Sequence, residues 1–303
     1  KLLSEYVNLL KKDQVNLELV KNEFLKVSCA NSETKIKGLS AEDFPVIPKI
    51  EKENPFVLNV NEFKKALSQV IFAVSSSETR PEISGVLFCF NKQKGKLTLV
   101  GTDSYRLAEK TIELGEGKAE KDVIVPAKTL QELFRILNNM KEQSNTIENL
   151  NIYLSENQIS FNCDNIELIS RVIEGQYPDY KQIIPKESKT KVIASTAELA
   201  KTIKTVALFS KIGIYDINLE FNKEQGLVAK SANAQVGESV ANLDVAFEGE
   251  KNETVLNYRY LLDGLNILDS AEVEISVVDR NIPCLIQPKD SKDYLYIIMP
   301  IRQ

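Results

Sequence analysis

The feature that most narrows the possible folds is a repeat within the chain. KLLSEYVNLL, starting at Lys1, and KTLQELFRIL, starting at Lys128, put apolar residues at matching positions of an amphipathic helix. Downstream, LKVSCAN (25–31) matches ISFNCDN (159–165) with Cys29 and Cys163 in register, and DFPVIPK (43–49) matches QYPDYKQIIPK (176–186). A third copy reads NYRYLLDGLNIL, EVEISVVD and then YLYIIMP at 294–300. The unit is roughly 115–130 residues, which makes each copy a domain rather than a solenoid turn. On that ruler the 303 residues divide into the second half of one unit (1–55), a whole unit (56–187) and another whole unit (188–303). Pro45, Pro48, Pro55, Pro178 and Pro185 punctuate the joins. Because the first copy lacks its leading half, truncation at the N-terminus is expected.

Within a unit the apolar spacing predicts two helices. Phe63, Ala66, Leu67, Val70, Ile71 and Val74 mark 61–75, and Leu130, Leu133, Phe134 and Leu137 mark 128–140. Leu199, Ala200, Ile203, Val206 and Ala207 mark 196–209, with Ser195 or Thr196 as cap and Glu198 in capping-box position. Leu261, Leu262, Leu265 and Leu268 mark 258–268, and a fifth helix is expected over 2–12. Between them lie alternating runs such as VLFCF (86–90), LTLV (97–100), DVIV (122–125), NIYL (151–154) and EVEISVV (272–278). A period of two broken by polar residues reads as antiparallel strands, so the expected class is α+β, with two helices packed on antiparallel sheets in each unit.

Composition then removes most chemistry. There is no histidine, hence no Ser-His-Asp or Cys-His activation, no imidazole base and no His-ligated metal. Cys29, Cys89, Cys163 and Cys284 form no C-x-x-C pair and sit in strand-like stretches, which fits buried thiols in a reducing, cytoplasmic compartment. No GxGxxG or GxxxxGK[ST] occurs, and no apolar run approaches the ~18 residues that span a bilayer. No cofactor is expected.

Four motifs, in order, give the chain a resemblance. LTLVGTDSYRLA (97–108), VIVPAKTLQEL (123–133), EGQYPDYKQIIP (174–185) and YIIMPIR (296–302) resemble the bacterial DNA polymerase III beta subunit, the sliding-clamp family. The resemblance runs over nearly all of the chain and implies repeated clamp domains in a head-to-tail homodimer when full length. Helices would face a central hole holding double-stranded DNA, without sequence preference, and sheets would form the outer wall. It also implies a processivity factor without a catalytic site, located in the bacterial cytoplasm. Its partners would be the polymerase III alpha subunit, the clamp loader and other proteins carrying short linear motifs.

The charge pattern agrees with that expectation. Taken with their flanking residues, as 1–13, 61–76, 126–140, 195–210 and 257–269, the five helical stretches carry ten Lys/Arg against seven Asp/Glu, so the remainder of a chain of net charge −5 carries −8. A basic lining on an acidic protein suits loosely held phosphates. The DNA-facing candidates are Lys64, Lys65, Arg80, Lys128, Arg135, Lys201, Lys204 and Arg259. Ordinarily such residues are only solubilising charges. The family's peptide pocket maps onto Ile83, Thr102, Ser104, Arg106, Leu107, Pro178, Gln182, Ile183, Ile214, Ile297, Met299, Pro300, Ile301 and Arg302. Branched aliphatics and a flexible Met make an adaptable groove, although each alone is more often a core residue than a binding one. The chain departs from the common pattern at Ser104-Tyr105 (often Gly-His), Gln182 (often Arg) and Gln303 (often Leu). Leu208 and Phe209 map to the dimer contact, opposite the partner's strand region near 24–38.

Two other readings stay open at this point. A metal-dependent carboxylate nuclease or hydrolase would use pairs such as Glu113 with Glu116 or Asp263 with Asp269. A peptide-binding scaffold with no DNA role is disfavoured only by the basic helices.

Overall fold

The computed structural model describes the chain except residues 12–13, 22, 45–49, 78, 92–94, 116–119, 141–147 and 303. Pro45, Pro48, Glu116 and Gln303 thus lie outside the described residues. Residues 1–49 form one compact unit and residues 50–303 another. In the first, α1 (Leu2–Leu9) precedes an antiparallel sheet of β1 (Asn16–Val20), β2 (Phe24–Cys29) and β3 (Ser32–Lys37). The helix is shorter than its apolar spacing suggests, because Leu10 is already extended. None of its residues is buried, and Val27 and Cys29 are the buried hydrophobics among this unit's described residues.

The second unit begins with β4 (Phe56–Asn59), α2 (Val60–Ile71), β5 (Gly85–Asn91), β6 (Lys96–Thr102), β7 (Arg106–Glu113) and β8 (Lys121–Pro126). There follow α3 (Ala127–Asn139), β9 (Asn149–Leu154), β10 (Gln158–Cys163) and β11 (Ile166–Arg171). The pattern then recurs as β12 (Thr190–Ser195), α4 (Thr196–Ala207), β13 (Asp216–Asn222), β14 (Gly226–Asn233), β15 (Gly237–Leu243), β16 (Ala246–Gly249) and β17 (Asn252–Asn257). It closes with α5 (Tyr258–Ile267), β18 (Glu272–Val277), β19 (Cys284–Pro288) and β20 (Tyr294–Ile298). The sequence repeat is therefore a repeat of elements. Its Cys register has a local cause: Cys29 and Cys163 each end a strand before a left-handed turn residue, Ala30 (φ 47°) and Asp164 (φ 52°).

Helix starts follow from their caps. The Asn59 side-chain oxygen accepts from the amides of Asn61 (2.9 Å) and Glu62 (3.1 Å), Ser195 from Glu198 (3.4 Å), and Asn257 from Arg259 (2.9 Å). The second helix stops at Ile71, so Val74 packs from outside it. Helix α2 lies against α3 and α5, and α4 against α5. Their apolar faces close one core with the sheets, including the ring cluster Phe63, Phe88 and Phe161, whose centroids lie 6.1–6.3 Å apart.

The sheets explain why residues 50–303 cohere as one unit although the repeat places a join near 187. Strand β20 of the last copy pairs antiparallel with β7 of the preceding one, from Tyr294 opposite Lys110 to Ile298 opposite Arg106. The result is a nine-stranded sheet, β16-β12-β18-β19-β20-β7-β6-β5-β8, flanked by four-stranded sheets β11-β10-β9-β4 and β15-β14-β13-β17. Backbone bonds thus run through the join. Among the described residues, no helix is long and apolar enough to cross a membrane.

Candidate functional site

Residues 172–185 lie as a strap over the face of the nine-stranded sheet that points away from the helices. Ile173 N donates to the Ile124 carbonyl (2.8 Å), Tyr177 OH to that of Val100 (3.2 Å), and Tyr180 OH to Glu109 Oε2 (2.5 Å). Under it sits a second, smaller core of Leu87, Val100, Leu107, Ile124, Tyr180 and Ile297. Burial, and then the Glu109 carboxylate, raise the Tyr180 phenol's pKa, so the strap's anchor stays protonated. Burial and neighbouring Asp122 push the Cys89 thiol up to about 12, which leaves it inert at neutral pH.

Where the strap meets the β7–β20 seam it leaves an apolar groove of about 130 Å³. Its walls are Ile83, Thr102, Ser104, Arg106, Leu107, Pro178, Ile183, Ile297 and Met299, together with Arg80, Asp179 and Tyr180. Larger clefts exist, one of about 930 Å³, but that one is lined mainly by charged side chains such as Lys96, Glu109, Lys110 and Asp293. Only a dry apolar floor offers a ligand the hydrophobic gain, so the small groove is the candidate. Leu107 (1 % exposed) and Ile297 (0 %) form its floor and belong to the core beneath.

The turn from Thr102 to Arg106 is built for rigidity. Asp103 Oδ1 accepts from the amides of Tyr105 (2.9 Å) and Arg106 (3.0 Å), and Thr102 Oγ1 donates to the Arg106 carbonyl (2.6 Å). Ser104 takes φ 79°, a conformation that favours glycine, and its hydroxyl accepts from Arg80 Nη1 (2.9 Å). Arg106, with its side chain 12 % exposed, donates to Asp103 (3.0 Å), to Asp263 on α5 (2.6 Å) and to the Phe72 carbonyl (2.9 Å). Its guanidinium lies 4.6 Å from the Tyr260 ring centroid and 5.4 Å from that of Phe72. Burial works against its charge, but Tyr296, Asp263 and Asp103 outweigh it and raise the pKa. Arg106 thus ties the groove to helices on the opposite face of the sheet.

Five expected pocket residues are not in the groove wall. Gln182 turns to Asp179, donating from Nε2 at 2.7 Å. Beyond Met299 the chain leaves the seam: the Ile301 amide donates to the Val255 carbonyl (2.8 Å), which draws Pro300, Ile301 and Arg302 toward β17. Ile214 sits exposed on the loop after α4. Arg80 moves the other way, from the expected DNA face to the groove, where it also pairs with Glu82 (3.0 Å). Asp179 and Tyr180 lie inside the EGQYPDYKQIIP motif, and the strap's path brings them to the wall.

The helical lysines divide as well. Lys64 does not face solvent: it is 7 % exposed, and its ammonium donates to the Leu137 carbonyl (3.3 Å) in the last turn of α3, where a cation opposes the helix dipole. Lys65 pairs with Asp269 (3.0 Å), and Arg135 with Glu132 on its own helix. Arg259 stacks 3.6 Å from the Tyr215 ring centroid. Lys128, Lys201 and Lys204 are exposed, the last two beside a cleft between α4 and the end of α5 that has no acidic residue in its wall. Leu208, closing α4, is 77 % exposed, and Phe209 is half-buried near Gly237, where β15 makes a free sheet edge with Val236 and Val240 exposed.

The carboxylate pairs open to a metal-dependent reading are separately engaged: Asp263 with Arg106, Asp269 with Lys65, and Glu113 with Lys96. Among the described residues, no three His, Cys, Asp or Glu side chains are placed to hold a metal ion.

Comparison with known proteins converges on one family. The DNA polymerase III beta subunit, central domain, matches residues 57–179, and the C-terminal domain of the same subunit matches 181–302. The beta sliding clamp of Bacillus subtilis strain 168 is 30% identical over 304 residues, covering 99% of this chain and 78% of that protein. That of Staphylococcus epidermidis is 30% identical over 279 residues, covering 91% and 71%. Crystal structures agree: the B. subtilis DNA polymerase sliding clamp superposes with a TM-score of 0.91 at 28% identity, covering 100% of this chain and 78% of that one. The Thermotoga maritima beta subunit gives 0.88 at 28% identity, covering 100% and 80%. Repeat, sheet seam and family match coincide, and the chain belongs to the DNA polymerase III beta subunit family, the bacterial sliding clamps.

Proposed function

We propose that this protein is a sliding-clamp subunit. It encircles duplex DNA and tethers the replicative polymerase, the clamp loader and other DNA-processing proteins through the groove at the β7–β20 seam. It works in the cytoplasm and performs no chemistry of its own. The observation that carries the reading is the groove: an apolar slot with a Met at its lip, opened where two successive repeat copies share one sheet. Lys128, Lys201 and Lys204 supply a diffuse cationic surface suited to phosphates that must slide. The chain's domains are 1–55, the second half of a first clamp domain, then 56–187 and 188–303. A homodimer is expected to form at the β15 edge beside Leu208 and Phe209, against a first-copy sheet of a second subunit.

Two measurements test this. A fluorescent peptide carrying leucine and phenylalanine anchors should bind the protein, and Met299→Glu should weaken it by about 30-fold or more, the size of a buried hot-spot loss. Retention on nicked circular DNA at moderate salt, lost on linearisation, should report topological holding. Peptide affinity unchanged in a folded Met299→Glu variant would move the site elsewhere.

A further inference from the structure

We infer that the groove selects peptides whose apolar anchors are flanked by lysine or arginine, and that Asp179 is the residue reading that charge; the inference rests on the groove being the peptide site. Two cations reach the groove wall, Arg80 and Arg106. Both already have partners inside the protein. Arg80 donates through Nε to Glu82 and through Nη1 to Ser104. Arg106 is held by Asp103, Asp263 and the Phe72 carbonyl and packed between two rings.

On the groove side each cation is matched by one carboxylate, Arg80 by Glu82 and Arg106 by Asp103, and Asp179 stands in the wall as a further one. The hydrogen bond that Asp179 accepts comes from the neutral amide of Gln182, which leaves its charge uncompensated by that contact. Lys181, its near neighbour in sequence, lines the clefts on the other sides of the strap and not the groove. The rim therefore carries an excess of negative charge over a floor that cannot discriminate charge. An ammonium or guanidinium beside the anchors is attracted there, and a carboxylate is repelled. Lysine or arginine at position 182, where Gln182 stands, would cancel the effect.

The test uses two fluorescent peptides with the same leucine and phenylalanine anchors, one flanked by two lysines and the other by two glutamates, titrated against the whole chain. The lysine peptide should bind about three- to tenfold tighter at about 50 mM salt, the range expected of exposed charge pairs. The gap should close toward about 0.5 M salt as the Debye length shrinks. Asp179→Asn, which keeps an oxygen for Gln182, should reduce the gap. Equal affinities, a tighter glutamate peptide, or a gap indifferent to salt would overturn the charge selection while leaving the groove in place. A full gap in Asp179→Asn would overturn the role of Asp179. Failure of both peptides to bind at any salt would overturn the groove reading and this inference together.

Discussion

Replacing Gly264 by alanine sets two effects of known size against each other. Gly264 lies within α5, where alanine should favour the helix by about 0.8–1 kcal/mol. Its Cβ, however, would stand 2.4 Å from Cε1 and 2.5 Å from Cδ1 of Tyr296, more than about 1 Å inside a normal carbon contact. That ring cannot swing away. Tyr296 is fully buried, its hydroxyl donates to the Tyr260 carbonyl (2.8 Å), and its backbone pairs with Ala108 and Ile286. Overpacking of this kind costs about 1–3 kcal/mol. If α5 recoils instead, the charged bond between Asp263 and Arg106 stretches, and such bonds are worth about 1.5–3 kcal/mol. The net expectation is a loss of up to about 2 kcal/mol, read as a lower urea midpoint. Either movement also shifts Ile297 or Arg106 in the groove wall, so peptide affinity should fall in the folded variant. A variant as stable as the parent, with unchanged peptide affinity, would refute the claim that α5 and the groove are rigidly coupled.

Other consequences follow from burial and charge. Lys64→Ala should lower stability by about 1–3 kcal/mol, by orphaning a helix-end carbonyl, and leave DNA association nearly unchanged. The double change Lys201→Ala, Lys204→Ala should do the reverse, weakening DNA association and reducing its salt slope without shifting the melt. Burial raises the Cys284 thiol to about 12 from an ordinary 9.0, so the folded state holds that proton more tightly than the unfolded one. Its contribution is complete below pH 9 and lost as the pH climbs through 12; urea midpoints should fall across that window, and less steeply in Cys284→Ser. Amide exchange over the described residues of 1–44 should be much faster than over the strands of 50–303, since among them only Val27 and Cys29 are buried; equal protection would show stabilisation that the burial does not reveal.

Fold class, the repeat and most helix positions were legible in the sequence because they are local or periodic. A 3.6-residue stripe buries Phe63, Ala66, Leu67 and Val70 wherever its neighbours lie, and a strand ending in Cys before a left-handed turn repeats its own pattern. The groove's apolar members were likewise readable through the family motifs. What the sequence could not determine depends on which surfaces meet. Lys64 and Lys65 are adjacent and equally polar, yet one caps α3 in the interior and the other pairs with Asp269 at the surface, because only the former faces the helix packed against α2. Arg80 left the expected DNA face for the groove, and Ile301 left the groove for β17, through contacts with residues 24 and 46 positions away. Strand pairing at nearly 190 residues' separation leaves no trace in local hydrophobic period, and it alone brought Leu107, Ile297 and Met299 to one wall.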